Sequence, residues 1–241
     1  MMDVVRETFD ISFIVSIVPK LLTALPVTLR ITVFTLLAGW ALGLLVAMVK
    51  VSRHKVSAWI LDKITVLLRG LPTVVLLYLV YFGLPMLVQA ITGVSISRWS
   101  KEIFCVIALT LELIASSSEM FRSAYNSIDK GQLEAAHAMG MTRFQRFRRV
   151  IFPQGLFVIL PNLGSAALSM IQGTALVYTL GILDIMGRAR QIDTNNFGLK
   201  TFESYFAVAM FYWVISLILN LVFRLLERHF GKGMRTMGTA K

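Results

Sequence analysis

The chain has 241 residues, 56% of them hydrophobic and only 15% charged, with a mean hydropathy of +0.73; an ordinary soluble domain is roughly 25% charged, so a soluble monomer is excluded. The formal charge of +11, from 24 Lys and Arg against 13 Asp and Glu, would suggest nucleic acid in a soluble protein. Here the basic residues sit between long apolar runs, and the excess bears first on membrane topology.

At the N-terminus, Met-Met-Asp-Val-Val-Arg has neither a basic stretch leading into an apolar core nor a small-residue cleavage site, so no cleaved signal peptide is expected. The apolar pieces before Arg30 are split by Lys20 and Pro26, and residues 1–19 read as an interfacial lead-in to a transmembrane domain over 20–228. A helix needs about 20 mostly apolar residues to cross a bilayer. Residues 31–49, uncharged between Arg30 and Lys50, give a first span over 28–49. The uncharged stretch 70–97 holds a second span at 71–89, then a polar turn at Thr92, Gly93 and Ser95. The third span, 103–118, is the shortest, contains the single Cys105 and carries Glu112 inside it. One cysteine allows no internal disulfide framework and no cysteine metal cluster.

Between the third and fourth spans lies a segment with helix punctuation. Asp129 precedes Gln132 by three residues and Thr142 precedes Gln145 by three, the spacing at which a cap oxygen accepts from the backbone amide three residues on. Gly140 falls between them, where a helix C-terminus favours glycine. The pattern predicts a short helix over 130–139, a turn at Gly140, and a basic helix over 143–151 that ends before Pro153. Taken alone, this is a solvated hairpin; a DNA-reading helix-turn-helix fits poorly, because spans tether the loop on both sides.

Residues 150–183 are uncharged for 34 residues, about 51 Å as continuous helix and too long for one untilted crossing. Pro153, Pro161, Gly164 and Gly173 interrupt the stretch, which places a bent fourth span at 157–178. The fifth span, 204–223, precedes a basic tail at 229–241. Tyr205, Phe206, Phe211, Tyr212 and Trp213 in its outer half read as interfacial belt and packing.

Five spans put the termini on opposite sides. Sixteen Lys and Arg fall on the side of the loops after the first, third and fifth spans, against eight on the other. Lys and Arg concentrate on the cytoplasmic side, so the N-terminus is expected outside and the C-terminus inside. With acidic residues included, the inner side carries +11, the outer side +1, and Glu112 contributes −1 within the bilayer. Topology and attraction to anionic lipid account for this charge without nucleic acid.

Glu134-Ala135-Ala136, three residues, Gly140, nine residues, Val150, one residue, then Phe152-Pro153 closely resembles the EAA loop of binding-protein-dependent ABC importer permeases, with Val150 and Phe152 where that pattern has Ile and Leu. Arg69-Gly70-Leu71-Pro72 is similar to the Arg-Gly-Thr-Pro that opens the second span in the polar amino-acid subfamily. Glu119-Met120-Phe121-Arg122, the run from Ser127 to Ala136, and Arg148-Arg149-Val150-Ile151-Phe152-Pro153-Gln154 continue the likeness over roughly residues 20 to 228.

The resemblance implies a type I importer fold of five transmembrane helices. In it, the helix bearing Glu134, Ala135 and Ala136 is a coupling helix that docks in a cleft of a separate ATPase, Gly140 permits the turn that presents it, and Pro153 closes the loop over 130–153. It also implies two cytoplasmic ATPase subunits that carry ATP and magnesium, a second permease subunit (the same chain or a homologue), and an extracytoplasmic substrate-binding protein, all at a bacterial plasma membrane. Nucleotide-driven closure of the ATPases would draw paired coupling helices together and switch the spans from inward-facing to outward-facing.

Glu112 is the one ionisable residue well inside a predicted span, and such a group is costly unless paired or facing a polar cavity. It contacts substrate, with an amine as fitting partner, is paired structurally, or lies at the interface because the span is shifted. Gln172-Gly173-Thr174-Ala175-Leu176 stands where the subfamily commonly shows Lys-Asp-Thr-Ser-Leu. That likeness carries a path-lining role to Thr174 and Gln172, while the usual charges are lost and Glu112 is gained.

No Gly-x-x-x-x-Gly-Lys-Ser/Thr occurs, and His54, His137 and His229 lie in three separate segments without metal-ligand spacing. No cofactor, metal or catalytic set is expected in the chain itself. The leading reading is an all-α permease subunit of an ATP-driven importer for a polar amino acid, cystine and cationic amino acids included. The alternative is an ion- or proton-coupled carrier or channel in which Glu112 titrates.

Overall fold

The computed structural model describes residues 10–52 and 54–231, and every regular element among them is helical. In chain order these are α1 (Ile11–Leu22), α2 (Leu25–Val51), α3 (Lys55–Gly70), α4 (Thr73–Thr92), α5 (Lys101–Asn126), α6 (Lys130–Ala138), α7 (Arg143–Leu180), α8 (Ile185–Asn195) and α9 (Thr201–Gly231). Five of them, α2, α4, α5, α7 and α9, are long and apolar enough to cross a membrane, as the hydropathy pattern requires. All but α4 run past a charge that bounds the uncharged core; Lys and Arg stems can extend along apolar surface while their heads reach water. Of the expected lead-in, residues 1–9 lie outside the described residues; so do residues 232–241 of the basic tail.

Two prolines behave differently from the sequence expectation. Pro26 does not split the apolar pieces before Arg30; it falls in the first turn of α2, where its missing N–H has no intrahelical partner to lose, and the break lies between Leu22 and Leu25. The basic helix also does not stop before Pro153. It continues into Phe152–Thr174 through a π-helical turn at Phe147–Ile151, where the Phe152 N–H reaches the Phe147 carbonyl. A proline clashes with the carbonyl four residues earlier, here Arg149, and that residue sits in the widened turn. The same device occurs in α4, where a π turn at Leu79–Gly83 precedes Pro85.

The chain divides into two compact units. In the first (Met1–Leu37, Leu71–Thr110, Ser169–Leu217), Ile17 and Leu21 of α1 pack with Ile185, Ala189 and Ile192 of α8 and with Ala207 and Val208 of α9. Asp10 caps α1 by accepting the Phe13 N–H at 2.9 Å and pairs with Lys200 at 2.9 Å. Arg30 grips Glu102 through Nε at 2.9 Å and Nη2 at 2.7 Å, joining α2 to α5. Lys101 donates to the Leu180 carbonyl at 2.9 Å, closing the end of α7.

The second unit comprises Ala38–Gly70, Leu111–Leu168 and Ile218–Lys241. Its centre is a close approach of α2 and α5 at Gly39 and Gly43, one turn apart on α2. A Cβ at Gly39 would lie 2.6 Å from Leu113 Cδ2, and one at Gly43 only 2.0 Å from Ser117 Oγ. The Ser117 hydroxyl donates to the Leu113 carbonyl at 2.6 Å and lies 3.2 Å from the Gly39 carbonyl. Small residues four apart let backbones meet in a medium with no hydrophobic drive between helices.

Candidate functional site

The loop between α5 and α7 is a fixed hairpin. Asp129 Oδ1 accepts the Gln132 N–H at 3.1 Å, starting α6. The helix ends in a Schellman turn: Met141 N–H reaches the Ala136 carbonyl at 3.2 Å and Gly140 N–H the His137 carbonyl at 3.0 Å. Gly140 takes φ +73° with open space where a Cβ would be, so the backbone angle, not crowding, demands glycine. Thr142 then opens α7 with a full capping box: its Oγ1 accepts from Gln145 N–H at 3.2 Å, and its own N–H donates to Gln145 Oε1 at 2.8 Å. Gln154 Nε2 donates to Gln132 Oε1 at 2.6 Å, tying α7 back to α6.

On this hairpin Glu134 and Ala135 are exposed while Ala136 is buried. The helix therefore anchors itself through Ala136 and offers Glu134 and Ala135 outward. Pro153 is exposed at the second position of Phe152–Thr174.

Glu112 is half-buried on α5 and belongs to the second unit, whereas Gln172 and Thr174 belong to the first. Gln172 is exposed. Thr174 is fully buried, its hydroxyl donating to the Ile171 carbonyl at 2.6 Å.

Two groups of side chains had no distinct signal in the sequence. At the C-terminal end of α2, the Lys50 ammonium meets Glu119 of α5 and Asp62 and Thr65 of α3; in the sequence these were four separate polar positions. In the first unit, the fully buried Asp184 caps α8 by accepting the Gly187 N–H at 2.8 Å. Tyr212 Oη lies 3.5 Å from the other Asp184 oxygen. A Cβ at Gly187 would lie 2.2 Å from the Ile182 carbonyl, so this cap is also a tight approach. The three-residue spacing of Asp184 and Gly187 was the available clue.

Burial pushes the Asp184 carboxyl up to about 6, against the Gly187 and Met186 amides that favour the charged form. A raised carboxyl pKa makes the folded state bind the proton more tightly. Its stability contribution is therefore full below the ordinary value near 3.8 and is lost as pH rises through about 6. Asp10 acts oppositely: the Ser12 hydroxyl, Lys200 and the Phe13 amide hold its carboxyl well below the usual range, so its contribution is lost only in strong acid. Thermal unfolding in detergent is expected to show higher stability at pH 5 than at pH 7.5. Asp184→Asn, which can still cap, should remove that difference, and Asp184→Ala should cost about 0.5–2 kcal/mol at pH 5 and less at pH 7.5, where it also removes a disfavoured buried charge.

Among the described residues, every regular element is helical, five helices are long and apolar enough to cross a membrane, and a capped hairpin presents Glu134 and Ala135; this defines a multi-pass membrane protein. The sequence profile of the binding-protein-dependent transport system inner membrane component matches residues 39–232, and the chain belongs to that family. It is similar to the probable amino-acid permease protein YxeN of Bacillus subtilis, 35% identical over 95% of this chain and 100% of the relative. It is 31% identical to the L-cystine transport system permease protein TcyL of the same organism, over 97% of each. Among solved structures it matches a chain of the crystal structure of an amino acid ABC transporter with histidines, with TM-score 0.79 and 31% identity over 92% of this chain and 99% of that one.

Proposed function

We propose that the chain is the permease subunit of an ATP-driven importer of a polar amino acid, cystine or a cationic amino acid included. The observation that carries this reading is the α6 hairpin: a helix fixed at both ends that leaves Glu134 and Ala135 facing outward. Two ATPase subunits dock there, one on each of two paired permeases, and hold the ATP and magnesium. Five spans are too few to enclose a solute path, and pairing with a second copy or a homologue completes it. The excess of Lys and Arg on the α3 and α6 side supports a cytoplasmic face there, with the N-terminus and the substrate-binding protein outside. The names of YxeN and TcyL support the amino-acid class.

Within this reading Glu112, Gln172 and Thr174 line the path, and Glu112 meets the substrate amine. Uptake of labelled amino acids by cells carrying the permease with its ATPase and binding protein tests the assignment. Glu112→Gln is expected to raise the KM or lower the rate about tenfold or more, as for loss of one charge-assisted contact, with permease levels in the membrane unchanged. Unaltered kinetics in that variant would remove Glu112 from the path, and absence of any amino-acid uptake by the wild type would reject the substrate class.

A further inference from the structure

Lys50 lies in the last turn of α2 with its side chain only 3% exposed. Its ammonium contacts Glu119 Oε1 of α5, donates to Thr65 Oγ1 of α3 at 2.6 Å, and lies 3.5 Å from Asp62 Oδ1 of α3. The other Glu119 oxygen accepts from Arg122 Nη2 at 2.6 Å and Nε at 2.9 Å. One ammonium therefore joins three helices.

Its position along the chain is as informative as its contacts. Glu119 lies seven residues before Asn126, the end of α5, and only 127–129 separate α5 from α6. Ile128 in that link is buried and the Ser127 hydroxyl donates to the Ala124 carbonyl at 2.8 Å, so the link is tied down. A displacement of α6 thus reaches α5 at Glu119, and through Lys50 it reaches α2 and α3. Apolar residues would hold these helices about as firmly, since buried ion pairs seldom outperform well-packed hydrophobic replacements. What the ion cluster adds is direction: an ammonium with fixed acceptors on two other helices resists sliding that a greasy contact permits.

We propose that Lys50 is a positioning residue of the transport cycle, transmitting movement of α6 into α2 and α3 through Glu119, Thr65 and Asp62. This rests on the reading of α6 as the ATPase contact. Without the cluster, ATP hydrolysis and span movement come apart.

The test uses the complete transporter in proteoliposomes, with uptake and ATP hydrolysis measured in the same vesicles. The double variant Lys50→Met/Glu119→Gln removes both charges together; the partners that remain, Arg122 and Asp62, are 44% and 51% exposed and are left to water. It is expected to assemble and hydrolyse ATP as the wild type does while uptake per ATP falls roughly tenfold, in the range of ordinary coupling energies. Lys50→Arg, which keeps the charge, should retain most of the ratio. An unchanged ratio in the double variant overturns the proposal, as does a parallel loss of uptake and hydrolysis. Failure of the double variant to assemble overturns it too, by making Lys50 a structural residue. A wild type that shows no ATP-driven uptake refutes instead the reading of α6, whatever Lys50 does.

Discussion

Ala135→Phe and Glu134→Lys are each expected to reduce ATP-driven uptake about 30-fold or more while leaving the permease in the membrane. Both side chains are exposed on α6, so neither substitution disturbs the core, and a bulky ring or reversed charge would act at the partner's surface. A loss of about 2 kcal/mol or more marks the few residues that dominate a protein interface, and it converts to about 30-fold in affinity. Co-purification of the ATPase subunit with the permease should fall in step. Ala136→Phe makes an informative contrast: Ala136 is buried within the hairpin, so that variant should lower the permease's own stability as well. Gly140→Val acts through the backbone, since a φ of +73° costs a residue with a Cβ about 1–2 kcal/mol.

The second large effect is at the α2–α5 approach. Gly43→Leu should remove most folded permease from the membrane, because even its Cβ would fall 2.0 Å from Ser117 Oγ. Overpacking of this kind costs about 1–3 kcal/mol and sometimes more. Gly43→Ala should be milder, and combining it with Ser117→Ala should recover part of the loss, because the clashing atom is the hydroxyl oxygen. The recovery, read from thermal stability in detergent across the wild type, Gly43→Ala, Ser117→Ala and the double variant, measures the contact directly. Additive losses would show that the two helices do not meet there.

The contrast between these two regions explains how much the sequence disclosed. The five crossing helices were legible because a bilayer imposes a length and a polarity on each one. The hairpin was legible because capping is local: Asp129 with Gln132, Thr142 with Gln145, and Gly140 between them are all written within a few residues. The ends of α7 were not, because a proline normally closes a helix and nothing local announces that a π turn at Phe147–Ile151 will absorb Pro153. Lys50 and Glu119 were equally opaque. They are 69 residues apart, and each taken singly is only an interfacial charge. Asp184 likewise looked like an outer acidic residue, until the fold buried it as the cap of α8.

Glu112 and the α6 hairpin lead to opposite energy sources, and that opposition gives the sharpest test. In proteoliposomes holding the permease, its ATPase and its binding protein, uptake of labelled amino acid should require ATP and vanish when the ATPase is disabled. It should also be indifferent to collapse of the proton gradient. Uptake that survives a disabled ATPase and follows the proton gradient would contradict the importer reading and make Glu112 the titrating group of a coupled carrier.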